Sequence, residues 1–169
     1  MDNDIVLRPW AKPDAAQLAY IANNRKVWLN VRDRFPFPYT VGDAIEWIVF
    51  TSNQKPVQNM AIVYKNKIAG SIGVMVKDDV YRKSIEIGYF LGEEFWGKGV
   101  ATAAVNMLLQ YIQQQFDVVR IYAEVFEHNK ASMRVLEKNG FHLESVRIRS
   151  VCKNNVLMND HVWVKFIDG

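Results

Sequence analysis

The chain has 169 residues, half of them apolar and 23% charged, with a net charge of +3. That length suits one domain with a genuine core, and the lone cysteine, Cys152, excludes an internal disulfide framework. No apolar run approaches the roughly 20 residues that span a bilayer. Charges from Asp2 onward interrupt any leader-like stretch, and the lysines and arginines are scattered rather than blocked as in nucleic-acid arms. These features predict a single domain over residues 1–169, cytoplasmic, with no membrane and no nucleic-acid partner.

Ile5 to Trp10 reads as a first strand, stopped by Pro9 and Pro13. Asp14 is placed to cap a helix through Ala15, Leu18, Ala19 and Ala22. A short helical piece follows around Lys26 to Asn30. Phe35-Pro36-Phe37-Pro38 forces an extended loop, because a residue before proline avoids the helical region. Thr40 and Asp43 then start a helix whose apolar positions are Ala44, Ile45, Trp47 and Ile48.

Three β-rich runs come next, Met60 to Tyr64, Ile68 to Lys77 and Lys83 to Leu91, with polar turns at Asn66-Lys67 and Asp78-Asp79. Short connections favour antiparallel pairing. From Val100 the period becomes 3.6, with Val100, Ala103, Ala104, Met107, Leu108, Tyr111 and Ile112 on one helical face. Val118 to Phe126 is the next strand. Ala131 to Asn139 is a helix stopped by Gly140. Phe141 to Cys152 and His161 to Ile167 close the chain as a hairpin around Lys153-Asn154-Asn155, in which Cys152 is expected as a small apolar strand residue. The order predicts an α/β fold: a central mixed, mostly antiparallel sheet flanked by helices.

The most informative stretch runs from Gly88 to Thr102. A strand enters a turn, and the turn opens the long helix. Gly97, Gly99 and Ala101 alternate where that helix begins. Glycine lets backbone N–H groups approach a ligand closely. A helix tip leaves about four N–H groups unpaired at the positive end of its dipole. Together these form a phosphate cradle, to which Lys98 and Thr102 add a charge and a hydroxyl. Gly92-x-x-x-x-Gly97-Lys98-Gly99 misses a nucleotide-binding P-loop by one residue, since Gly99 has no hydroxyl for magnesium.

Trp96-Gly97-Lys98-Gly99-Val100-Ala101 resembles the acetyl-CoA-binding motif of the GNAT superfamily of N-acetyltransferases. A second stretch, from Glu127 to Phe141, is similar to the Asn-x-x-Ser…Gly-Phe signature of its ribosomal-protein N-terminal acetyltransferase branch, as is Glu86-Ile87-Gly88-Tyr89. The resemblance covers about Met60 to Phe166 and implies the GNAT fold. It also implies roles. Phe90 and Leu91 pair their backbones with the pantetheine arm of acetyl-CoA. Residues Gly97, Lys98, Gly99, Val100, Ala101 and Thr102 hold the diphosphate. Asn129 binds the arm or fixes the following helix, and Ser132 lies near the thioester sulfur. Two positions depart from the family pattern. Trp96 replaces an Arg or Gln and is expected to pack beside the turn. Leu136 stands where many members carry a tyrosine acid, which leaves Ser132 or water to protonate the thiolate.

Acetyl transfer to an amine needs a neutral amine, a polarised carbonyl and a protonated leaving group. Glu86 is the candidate base, because a carboxylate held among apolar strand neighbours works better as a base near neutral pH. Water is the alternative base, and a salt-bridged structural glutamate is the competing reading. His128 is a second candidate, whereas His142 and His161 read as sheet residues. Phe35 and Phe37, with Trp28, Tyr39 and Trp47 nearby in sequence, are candidates for an acceptor wall, Trp47 being the one best read as core. The His, Cys and acidic residues show no metal-ligand spacing, so no metal is expected. The acceptor is a small-molecule amine or a protein N-terminus, and the assembly a monomer or homodimer. The rivals are a CoA-binding module without catalysis and a nucleotide-binding phosphotransfer protein.

Overall fold

A computed structural model describes residues 4–167. It contains the strands β1 (Ile5–Pro9), β2 (Asn59–Tyr64), β3 (Lys67–Val76), β4 (Ser84–Leu91), β5 (Arg120–Phe126), β6 (His142–Lys153) and β7 (Val156–Phe166). Its α-helices are α1 (Ala15–Ala22), α2 (Arg25–Trp28), α3 (Val41–Thr51), α4 (Val100–Gln115) and α5 (Lys130–Lys138). The strands form one mixed seven-stranded sheet in the order β1-β2-β3-β4-β5-β7-β6. The pairs β1/β2, β2/β3, β5/β7 and β6/β7 are antiparallel, and β4/β5 is parallel. The expected fold class is therefore the observed one.

Two compact units divide the described residues. The first comprises residues up to Gly73 together with Tyr89–Ala104. Leu18, Ile62 and Ile72 are its most deeply buried large side chains. The second comprises Val74–Gly88 and the chain from Val105 onward, around Ile85, Leu108, Ile112, Ile121, Leu136 and Val164. Full burial of each such aliphatic side chain stabilises the fold by about 1.5–3 kcal/mol.

Local chemistry explains the boundaries. Thr40 and Asp43 form the expected capping box: Thr40 Oγ1 accepts from the Asp43 amide, and the Asp43 carboxylate accepts from the Thr40 amide. The backbone turns Lys65–Asn66 and Asn154–Asn155 all have positive φ (49°, 64°, 52° and 61°), the geometry that matches the twist of a two-residue hairpin. The first turn thus sits one residue earlier than Asn66-Lys67, and Lys67 begins β3. β7 starts at Val156 rather than His161, because the tight second turn lets pairing resume at once, with Lys153 opposite Val156. Gly70 permits close strand approach: a Cβ there would lie 2.1 Å from the Phe90 carbonyl oxygen.

Four expectations are corrected by packing. Asp14 occupies the N-cap position of α1, but its carboxylate does not cap that helix. It accepts from Arg8 Nη1 and Nη2 at 2.7 and 2.8 Å and from the Ala11 amide at 2.8 Å. Ile45 is not core, since α3 buries Ala44, Ile48 and Thr51 and leaves Val41, Ile45, Val49 and Phe50 exposed. Trp47 is half-buried beside the exposed Phe50, with ring centroids 5.8 Å apart. Cys152 lies in a strand as expected, but on the exposed β6.

The Arg8 hydrogen bonds hold the Asp14 carboxyl below its ordinary pKa. Its stabilisation is therefore complete above the unfolded carboxyl's pKa and is lost as pH falls through the lower folded value. With Arg8 partly exposed, Asp14→Asn is expected to cost roughly 1 kcal/mol at pH 7. Urea midpoints should show that difference at pH 7 and lose it near pH 2.

Candidate functional site

The turn between β4 and α4 lies within the first unit. The chain leaves β4 at Leu91, makes a single 3-10 turn over Glu93–Phe95, and enters α4 at Val100. Gly92 donates its amide to the Ala69 carbonyl at 2.8 Å, which ties the turn to β3. Gly97 and Gly99 have φ of +70° and +75°, a region that other residues enter only with strain. A Cβ at either would meet nothing within 4 Å. These glycines therefore serve a left-handed backbone and leave the space beside it open. The first intrahelical bond of α4 runs from the Ala103 amide to the Gly99 carbonyl at 3.1 Å. The earlier amides form the helix tip, where the dipole favours an anion. This arrangement fits a diphosphate.

Trp96 packs as expected, beside the turn. Its indole N–H donates to the Leu91 carbonyl at 2.9 Å, clasping the end of β4 to the start of the helix. Lys98 turns back on the same turn: its ammonium donates to the Glu94 carbonyl at 2.7 Å and lies 5.9 Å from the Phe95 ring centroid. At rest its charge is anchored at the rim. Glu93 is bonded by Lys26 and by Asn24, the N-cap of α2, and the Lys26 contact holds its carboxyl below the ordinary range.

The proline loop splits its two phenylalanines. Phe35 packs inward, its ring 4.9 Å from Tyr39 and edge-on to Phe90 at 5.1 Å. Tyr39 is buried, and burial pushes its hydroxyl up to about 12. Phe37 is 41% exposed and stacks on Trp28 at 5.7 Å, with the Arg25 guanidinium 5.7 Å from the Trp28 centroid. Phe35 is half-buried and packs against Phe90, whereas Phe37 is the more exposed of the two.

Glu86, Asn129 and Ser132 belong to the second unit. Asn129 caps α5, its side-chain oxygen accepting from the Ser132 amide at 3.2 Å. Gly140, at φ +81°, ends that helix, with the Phe141 amide bonded to the Leu136 carbonyl at 3.1 Å. Leu136 is fully buried, so its position offers a packing group and no proton donor. Glu86 is 5% exposed. Its Oε2 accepts from Lys77 Nζ at 3.0 Å and from the Tyr122 hydroxyl at 3.4 Å. Neither partner carries a motif. The sequence trace of Tyr122 is the alternation of Arg120, Tyr122 and Glu124 with the buried Ile121, Ala123 and Val125. Burial works against the Lys77 charge, yet its bonds to Glu86 and Tyr122 raise its pKa overall; burial also pushes the Tyr122 hydroxyl up.

His128 is exposed beside Phe126, and His142 and His161 lie in β6 and β7. Among the described residues no group of three or more His, Cys, Asp or Glu side chains is arranged to hold a metal, and no helix is long and apolar enough to cross a membrane.

The mixed sheet with a glycine-bearing helix tip opening after its fourth strand is the arrangement that the resemblance to the GNAT acyltransferases implied. The chain belongs to the GNAT acetyltransferase family, whose domain matches residues 4–142. It is similar to the [Ribosomal protein uS5]-alanine N-acetyltransferase of Escherichia coli, 28% identical over 158 residues, covering 83% of this chain and 76% of that protein. Two Bacillus subtilis relatives match over shorter stretches. YjcK is 44% identical over 75 residues and YdaF 32% over 106; these cover 44% and 63% of this chain, and 41% and 57% of the relatives' lengths. Among solved structures, the microcin self-immunity acetyltransferase MccE in complex with acetyl-CoA and AMP superposes with a TM-score of 0.85 at 28% identity, covering 98% of this chain and 94% of that one.

Proposed function

We propose that this chain transfers an acetyl group from acetyl-CoA directly to a primary amine. The observation that carries this reading is the helix tip with Gly97 and Gly99 at positive φ and open space beside them. The amides from Gly97 to Thr102 hold the diphosphate, and the backbones of Phe90 and Leu91 hold the pantetheine arm. Acetyl-CoA supplies the activated acyl thioester. Glu86 takes the proton that leaves the amine nitrogen, and Asn129 orients α5 so that Ser132 serves the leaving sulfur. No cysteine nucleophile is required, since Cys152 lies far along the exposed β6. Family membership argues against the phosphotransfer rival. The silent CoA-binding module remains the alternative that an assay must separate.

For the acceptor, the protein N-terminus is favoured by the relative named for the alanine of a ribosomal protein. An α-amine, with a pKa of roughly 7.7–8.0, is partly neutral near pH 7, whereas a lysine at about 10.4 is not. A second reading is a small amine bearing a flat anionic group. The exposed Phe37–Trp28 stack beside Arg25 favours it, as does the AMP held by MccE. A screen of free-thiol release from acetyl-CoA distinguishes them. N-terminal alanine and serine peptides, Nα-blocked lysine peptides and aminoacyl nucleotides form its arms. Release with α-amine peptides supports the first reading, and release confined to the nucleotides supports the second. Tight CoA binding with no thiol release from any arm points to the silent module.

A further inference from the structure

We infer that Lys77 and Tyr122 are positioning residues for acetyl transfer, which together hold the Glu86 carboxylate where β4 pairs with β5. This rests on reading Glu86 as the group that takes the amine's proton. Three pairs join the two strands: Ser84 with Arg120, Ile85 with Ile121, and Glu86 with Tyr122.

Burial makes the pairing of Glu86 necessary. The Glu86 side chain is itself buried, and an isolated carboxylate there would be strongly disfavoured. Lys77 and Tyr122 both reach Oε2, one from just beyond the end of β3 and one from β5. Two donors on one oxygen fix the carboxylate's orientation, which a single exposed ion pair would not. Other charged groups flank Tyr122. The Arg120 guanidinium lies 4.8 Å from its ring centroid, and Glu124, next on the same strand face, pairs with Arg147 at 2.8 Å.

The clamp also sets the charge of the site. Lys77 and Glu86 together are neutral, so the pair does not trap an acceptor as its ammonium ion. Glu86 accepts the proton leaving the amine nitrogen and later releases it to solvent.

The test compares Lys77→Met, Lys77→Arg, Tyr122→Phe and Glu86→Gln. The readouts are kcat, KM for acetyl-CoA, thermal melts and the pH dependence of kcat/KM with an amine acceptor. Lys77→Met and Tyr122→Phe are each expected to lower kcat about tenfold or more, with KM for acetyl-CoA within about twofold. The Lys77→Met profile should differ from that of the wild type, because the charge beside the carboxylate is gone. Lys77→Arg should restore both rate and profile. If Lys77→Met and Tyr122→Phe keep the wild-type rate and profile while Glu86→Gln is slow, this inference falls and the base remains. If Glu86→Gln turns over at the wild-type rate, the base reading falls and takes this one with it. Should Lys77→Met fail to fold, Tyr122→Phe decides: a lower kcat at unchanged KM supports the clamp, and an unchanged kcat overturns it.

Discussion

Gly99→Glu is expected to weaken coenzyme A binding by roughly 100-fold, about 2.7 kcal/mol, with the fold retained. Two effects act at one position. Any residue other than glycine strains a backbone at φ +75°, which costs about 1–2 kcal/mol of stability. The side chain then enters the open space beside the helix tip and brings a carboxylate toward the diphosphate. Two like charges about 4 Å apart near a protein surface repel by about 4 kcal/mol, so a 100-fold loss is a conservative figure. Gly99→Ala separates the terms, since it carries the backbone strain without the charge. Calorimetric titration with coenzyme A should rank wild type and Gly99→Ala together and Gly99→Glu far weaker. Wild-type affinity in Gly99→Glu would place the diphosphate elsewhere and remove the cradle from the mechanism.

Glu86→Gln should lower turnover by about 100-fold or more, the usual worth of a positioned general base, while acetyl-CoA affinity stays within about twofold. Glutamine keeps the shape and can still accept from Lys77 and Tyr122, so packing is preserved. It cannot take a proton. The variant also leaves the Lys77 ammonium without a counter-charge, and a modest fall in melting temperature is expected from that unpaired charge. Single-turnover rates at several pH values separate lost chemistry from lost stability. A loss that shrinks steadily as pH rises is the signature of a missing base, because hydroxide and the free amine compensate. Equal rates at every pH would make Glu86 a structural partner of Lys77 and leave water as the base.

These two residues differ in how legible they were. The cradle could be read from the chain because its determinants lie within a few residues of one another. Gly97 and Gly99 precede a long 3.6-period run, and glycines at that point mark a helix tip open to close approach by a ligand; their left-handed backbone is seen only in the structure. The same holds for the Thr40–Asp43 capping box, the paired asparagines at Asn154–Asn155, and the Asn129 cap and Gly140 stop of α5. The sense of burial was less legible. On α3 the apolar residues surround most of the helix, so periodicity did not say that Ile45 faces outward and Ile48 inward.

Sequence by itself determined the mixed-sheet class and the helix tip, since each depends on local periodicity, capping and glycine placement, while the family was legible only through the resemblance of its motifs. Tertiary structure alone decided that β7 inserts between β5 and β6, that Asp14 serves Arg8 rather than α1, and that Lys77 and Tyr122 converge on Glu86. Those outcomes rest on strand order and register, which bring together groups 6 to 36 residues apart. A side-chain period of two tells which face a residue takes, but not which strand will lie beside it.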